Sequence, residues 1–435
     1  MHQMWRRNLI GLTIAVLSCA RAPGTSNNES ASGSVNARSR VRPGITVLLE
    51  DSIALINGKR VGLLTNQTGL DERSRSDIDL LYRPAGTTGP RLVALFSPEH
   101  GIRGAEDRSN IASGRDERTG LPIHSLYNPT TIEPPDSTLR GLDALIIDLQ
   151  DLGTRTWTYP ASMVYAMRAA ARNKVSVIVL DRPNPITGDR VEGPVLDSTQ
   201  TYAASHNADR RAQPVSLYPL PLRHGMTMGE LALMYNEVLG IGADLHVIPA
   251  DGWRRAMWFD ETGLPWVKPS PNMPSLASAT LYPAVVPFEG SNLSVGRGTP
   301  DAFQRVGAPW LNAVRAVELL NDRGLAGVRF EAQRFAPINP TDKKYGGIEV
   351  RWIRVVVTDR ERMHSVRVGA ALLWVVGKTN PDSLQIRAQT FDERMGPARV
   401  REALMRGEDP DTVIDREVPA AVAFDQRVRR FKLYR

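Results

Sequence analysis

The chain has 435 residues, 42% of them hydrophobic and 23% charged, with a net charge of +7. That is long enough to bury a large core and to divide into two domains. The positive charge is scattered arginine with no dense Lys/Arg run and interleaved aromatics, which argues against a nucleic-acid partner; one cysteine, Cys19, excludes an intrachain disulfide and a cysteine metal site.

At the N-terminus, Arg6 and Arg7 precede an apolar run over 9–18. The run is too short to span a bilayer as a mature helix, and the pair reads as the basic and apolar parts of a secretory signal. Val16-Leu17-Ser18-Cys19 resembles a bacterial lipobox, with Cys19 as the lipidated first mature residue. The expected organisation is a signal over 1–19 and a Ser-, Asn- and Gly-rich flexible tether over 20–42. Export to the periplasm or outer membrane follows, with membrane attachment through the lipid on Cys19.

A short helix is expected over 45–56. Four apolar runs then end abruptly in polar and turn residues: 61–65 before Asn66-Gln67-Thr68-Gly69, 92–96 before Ser97-Pro98-Glu99-His100-Gly101, 144–147 before Asp148, and 175–180 before Asp181-Arg182-Pro183-Asn184. Continuous apolar runs suit strands covered on both faces. Helical patterns over 76–82 and 161–172 lie between them. The alternation predicts an α/β fold: a Rossmann-like, doubly wound, mostly parallel sheet over 43–265. In such sheets ligands bind outside the carboxyl ends of the strands. Neither G-x-G-x-x-G after a strand nor a Walker loop is present, so nucleotide binding has no local support.

Thr227 and Glu230 fit a capping box for a helix within 223–240, and 243–249 reads as a further strand. The Trp- and Pro-rich stretch 251–287 is expected to be irregular. A smaller α+β domain is expected over 266–435. Helices are predicted at 310–323, 365–379, 397–406 and 418–431, and strands at 328–336 and 348–358.

The densest polar cluster follows the strand at 144–147: Asp148, Gln150, Asp151, Arg155 and Tyr159, with Gly153 for the turn. A buried strand has no structural need for so many polar groups, and the cluster reads as the floor of a site. Glu99, at another strand mouth, suits a general acid; a salt-bridge carboxylate paired with Arg103 is the structural alternative. Asp148 and Asp151 face opposite sides if the strand continues, so only one would reach a cleft. Arg103, Arg155, Arg182 and Arg223 would suit a substrate carboxylate, unless they pair internally with nearby acids. The histidines show no metal spacing, and Ser97 and Ser162 lack a nucleophile elbow.

Taken in order, SPEHGIRG, DLQDLGTRTWTY, DRPNP, RHGMTMGE, PSPNMP and EGSNLSVGRGT resemble the motifs of the NamZ-type exo-β-N-acetylmuramidases, over roughly residue 41 to the C-terminus. The resemblance implies a Rossmann-like N-terminal domain, a smaller C-terminal domain and a site in the cleft between them. It implies removal of terminal β-linked MurNAc from the non-reducing end of peptidoglycan fragments, with no metal or nucleotide cofactor. The partners implied are MurNAc-GlcNAc oligosaccharides or muropeptides. It also implies Glu99 as the principal catalytic carboxyl, with Asp151 and Asp148 beside it. His100, Arg103, Gln150, Arg155, Tyr159, Asp181, Arg182, Asn184, Arg223 and His224 would contact substrate from one side. Asn272, Glu289, Asn292 and Arg297 would approach from the other. Ser291 and Val295 stand where Thr and Glu are expected. The alternative is a cell-wall-binding lipoprotein that holds muropeptides without turning them over.

Overall fold

The structure is a computed structural model describing residues 41–435, except 84–86, 105, 106, 108–110, 128–131, 199, 200, 202–214 and 216. The expected signal, Cys19 and nearly all of the expected tether lie outside the described residues.

In chain order the first strands are β1 Arg60–Thr65, β2 Arg91–Ser97, β3 Gly114–Arg115, β4 Pro122–Ser125, β5 Ala144–Asp148 and β6 Ser176–Leu180. A separate antiparallel pair follows, β7 Glu192–Val195 and β8 Pro221–Arg223, and then β9 Leu245–Ile248. Among the described residues the main sheet runs β3-β4-β2-β1-β5-β6-β9, parallel except for β3 at its edge. From β1 the chain proceeds to β2 and β4 on one side, and through β5 to β6 and β9 on the other. The strand order reverses beside β1, so the carboxyl ends of β2, β4 and β5 open toward one crevice.

Both faces of the sheet are covered, as the apolar runs require. Leu145 and Ile147 of β5 pack into a core with the helix Tyr159–Arg172. Ala144 and Ile146 point the other way, into a core with the helices Gly44–Asp51 and Asp77–Leu81. The helix Met228–Val238 begins with the expected capping box, Thr227 Oγ1 accepting from the Glu230 N–H and the Glu230 carboxylate accepting from the Thr227 N–H.

A smaller antiparallel sheet follows: β10 Arg305–Ala308, β11 Val328–Phe335 and β12 Val350–Val357, in the order β10-β12-β11. The helices Leu276–Val285, Ala313–Asp322, Ser365–Thr379 and Ala388–Met395 accompany it. Its apolar side chains, among them Phe288, Leu372 and Phe431, belong to the same core as Leu64 and Phe96 of the parallel sheet. The two units therefore share one apolar core.

Two local outcomes differ from the sequence reading. The proline-rich stretch contains the helix Leu276–Val285, with Pro283 inside it. Its start is capped by Ser275, whose hydroxyl accepts from the Ser278 N–H, and it buries Ala279, Leu281, Ala284 and Val285. Pro283 lacks the N–H that would donate to the preceding turn, and the burial offsets that loss. The helix Ala388–Met395, unanticipated from periodicity, docks on the turn Val286–Gly290. At Gly290 a Cβ would lie 2.6 Å from the Phe391 backbone nitrogen, so only glycine permits this approach.

Asp148 ends β5 on the side of Ala144 and Ile146, and is wholly buried. The Arg182 guanidinium grips it through Nε and Nη2, the latter 2.9 Å from Oδ2. Asp77, equally buried, faces this anion; burial first, and then the Asp148 charge, push its carboxyl well above the ordinary range, so it stays protonated.

Two consequences are measurable. Gly290→Ala forces the helix Ala388–Met395 to shift, and should destabilise the fold by about 1–3 kcal/mol in chemical denaturation, as overpacking does. An unchanged denaturation midpoint would contradict the contact. Asp77 binds its proton more tightly folded than unfolded, so its contribution is full below the ordinary carboxyl range and is lost as pH rises toward the folded value. Asp77→Asn should therefore gain stability relative to wild type as pH increases above about 4, by up to about 1.4 kcal/mol per pH unit. Urea melts across that range with parallel pH profiles for the two proteins would rule this out.

Candidate active site

A cavity of about 690 Å³ lies between the carboxyl edge of the parallel sheet and the smaller unit. That size suits a sugar-sized ligand. Glu99 enters it from the turn after β2, Tyr127 from the segment after β4, and Trp157 and Thr158 from the turn after β5. The opposite wall carries Glu289, Arg297, Phe303 and Arg394. Apolar side chains such as Leu126, Met273 and Val286 complete the lining.

Glu99 owes its position to the backbone behind it. His100 and Gly101 both adopt left-handed conformations, with φ of 71° and 76°. Two such residues in a row turn the chain back sharply at the end of β2, leaving the Glu99 carboxylate half-buried at the cavity wall. A left-handed histidine is strained, and strain of this kind concentrates at ligand sites. The Thr158 hydroxyl donates to Glu99 Oε2 at 2.5 Å. The Tyr127 hydroxyl also donates to Glu99; burial and the neighbouring Glu99 charge raise the phenol above its ordinary range, so it remains a donor. Among the described residues, no arginine or lysine pairs with Glu99.

Two of the other cavity acids, Glu289 and Asp107, stand in different surroundings. Burial works against the charge of Glu289, but the Arg297 and Arg394 guanidinium groups, 2.7 and 3.2 Å away, override it and hold the carboxyl below its usual range. Asp107 is likewise opposed by burial and held low by Thr341, Arg297 and Asn272. Both are fixed as anions. His100 Nδ1 lies 3.9 Å from Asp107 Oδ1. The Trp157 indole N–H, on a ring wedged between the edges of Tyr159 and Tyr282, has no hydrogen-bond partner among the described residues.

Of the residues singled out in the sequence, Glu99, His100, Glu289 and Arg297 line the cavity. The rest do not, and each has a structural occupation. Asp148, expected as a catalytic carboxylate, points through the sheet to the far face and pairs with Arg182. Asp151 is buried, accepts from the Gly153 N–H at 2.6 Å and lies 3.4 Å from His224 Nε2. Gln150 ties its own turn to the Pro183 carbonyl, and Asn184 binds the Met226 carbonyl and caps Ile186. Asp181 receives Thr227, Gly229 and the Tyr434 hydroxyl; burial raises its carboxyl to about 6.

The four arginines considered for a substrate carboxylate are all occupied by protein. Arg103 is exposed and pairs with Asp116, Arg182 with Asp148, and Arg223 with Glu192. Arg155 is buried and donates to the carbonyls of Glu393 and Arg394, at 2.5 and 3.0 Å. Tyr159 donates to the Pro269 carbonyl at 2.5 Å, and Asn292 holds Ser383 and Gln385. Asn272 supports Asp107 and Thr341 from behind the wall.

Sequence reasoning missed Asp107, Tyr127, Trp157, Thr158 and Arg394. Trp157 and Thr158 stand between Arg155 and Tyr159, within the very stretch taken as the floor of the site; weighting charge over hydroxyl and indole groups passed them by. Arg394 lies in an unanticipated helix, and no local signal marked it. Among the described residues, no three His, Cys, Asp or Glu side chains are grouped so as to hold a metal ion.

Comparison with known proteins bears on this geometry. Residues 61–277 match the family model described as exo-β-N-acetylmuramidase NamZ, N-terminal, and residues 280–434 match its C-terminal counterpart. The chain is 37% identical over 429 residues, 98% of each protein, to the peptidoglycan β-N-acetylmuramidase NamZ of Bacillus subtilis. Two crystal structures of DUF1343-family proteins from Bacteroides fragilis superpose with TM-scores of 0.80 and 0.70, at 33% and 28% identity, each covering 91% of this chain and 99% of its own. With both family halves matched in order across the cavity, the chain belongs to the NamZ family of exo-β-N-acetylmuramidases.

Proposed function

We infer that this protein is an exo-β-N-acetylmuramidase, a glycoside hydrolase that removes terminal β-linked MurNAc from the non-reducing end of peptidoglycan fragments. The matched relative is named a peptidoglycan β-N-acetylmuramidase and the family models an exo-β-N-acetylmuramidase, and no observation favours the binding-only alternative.

The residue roles rest on one observation: among the described residues, the cavity arginines pair with Glu289 and Asp107 and none pairs with Glu99. Glu289 and Asp107 are neutralised by arginine and remain anions, which unfits them for delivering a proton. Glu99 is held by the Thr158 and Tyr127 hydroxyls, which orient it toward the cavity. Glu99 is therefore the group assigned to proton transfer, to the leaving glycosidic oxygen or from the attacking water. The positive character that develops at the anomeric carbon is supported by the remaining acids or by the substrate's own acetamido group.

The location is proposed from the sequence alone. The basic and apolar segments at the N-terminus and Val16-Leu17-Ser18-Cys19 support export and a lipid anchor on Cys19, at the periplasmic or outer-membrane surface.

Glu99→Gln preserves shape and the hydroxyl contacts while removing the titratable group. Its release of nitrophenol from a β-MurNAc glycoside should fall by about 10²–10⁴-fold, with an unchanged circular dichroism spectrum. Wild-type activity in this variant would dismiss the assignment. Cys19→Ser should move the protein from the detergent phase to the aqueous phase on fractionation of expressing cells; identical partitioning of the two would remove the lipid anchor from the account.

A further inference from the structure

Two arginines line the cavity, and among the described lining residues there is no lysine. Arg297 is spent on protein: Nη1 donates to Asp107 and Thr341 at 3.2 and 3.1 Å, and Nη2 to Glu289 at 2.7 Å. Arg394 is not. Its Nε donates to Glu289 at 3.2 Å and its Nη1 to the Thr390 carbonyl at 3.1 Å, while its Nη2 has no hydrogen-bond partner among the described residues. The side chain keeps 19% of its surface open, although it sits on a cavity wall.

The backbone beneath Arg394 is unusually well fixed. It lies in the last turn of the helix Ala388–Met395, and Arg155 bonds the Arg394 carbonyl from the opposite unit. The contact at Gly290 sets the depth of the same helix. A guanidinium held by Nε and Nη1, with Nη2 unspent, presents a directed cationic donor to whatever occupies the cavity. Planar guanidinium groups recognise carboxylates by charge and direction together.

We propose that Arg394 is the specificity-determining residue that receives the substrate's carboxylate, using the unspent Nη2 at the cavity wall. The proposal rests on the muramidase reading, which supplies the carboxylate: the lactyl ether on O3 is what MurNAc carries and GlcNAc lacks. Arg103, Arg155, Arg182 and Arg223, the residues that sequence position brought forward for this task, are committed elsewhere. Arg394 thus sorts sugars by a group remote from the bond that breaks, while Glu99 acts at the bond itself.

The test compares two ligands in the inactive Glu99→Gln protein: the disaccharide MurNAc-β-1,4-GlcNAc and its lactyl N-methylamide, which is neutral and nearly the same shape. Calorimetry should show the acid binding about 10–100-fold more tightly than the amide, as expected for a charge-assisted hydrogen bond. With Arg394→Met added, amide binding should persist and the ratio should fall to near one. Arg394→Lys, which keeps the charge and loses the fork, should give a ratio between these values. An undiminished ratio in Arg394→Met, or equal binding of acid and amide by Glu99→Gln alone, would overturn the proposal. The latter comparison needs no Arg394 variant, so it decides the matter even if Arg394→Met fails to fold. If wild type releases MurNAc and the ratio persists, only the Arg394 assignment fails. If wild type releases none and neither ligand binds, the muramidase reading fails with it.

Discussion

The arrangement depends on one buried cation. Arg155 leaves the turn after β5, crosses to the smaller unit and donates to the last carbonyls of the helix Ala388–Met395. Burial pulls its guanidinium down to about 9, still charged at neutral pH. Such a group is costly to bury, and it is retained because helix ends leave carbonyls unpaired and carry partial negative charge. Nη1 and Nη2 meet the two carbonyls that the helix leaves open. The result is a fixed distance between the sheet edge that carries Glu99 and the helix that carries Arg394.

The polar residues at the strand ends divide into two layers by the parity of the strands. Side chains that follow Ala144 and Ile146 go to the far face, where Asp148 and Arg182 form a closed pair beside a protonated Asp77. Residues in the turns beyond the strand ends either tie the turns to one another, as Gln150, Asn184 and Asp181 do, or open into the cavity, as Thr158 does. Much of the polar density at this edge is therefore scaffolding. The hydrogen bonds that tie the turns to one another keep Glu99, Tyr127 and Thr158 in register.

How much could be read beforehand follows from these physical facts. The parallel sheet was legible, because runs such as 92–96 and 175–180 are apolar on both faces and end at turn residues. The place of Glu99 at the cavity was legible because it follows a strand end on the edge where such sheets bind ligands; its catalytic role rested on the resemblance. The choice of Asp148 over Thr158 was not, since composition does not show which face a strand-end residue takes after pairing. Arg394 was beyond reach: its significance comes from Arg155, Gly290 and Glu289, distant in the chain and joined only by packing. Pro283 within a helix was hidden for a related reason, tertiary burial outweighing a local preference.

The central claim is that one crevice, walled by both units, holds the amino sugar with its glycosidic bond at Glu99. A crystal structure of the Glu99→Gln protein with MurNAc-β-1,4-GlcNAc tests it most directly. The account predicts the glycosidic oxygen within hydrogen-bond reach of the residue 99 side chain, with the lactyl carboxylate against Arg394. A disaccharide seated away from residue 99, or on a surface formed by one unit alone, would contradict it.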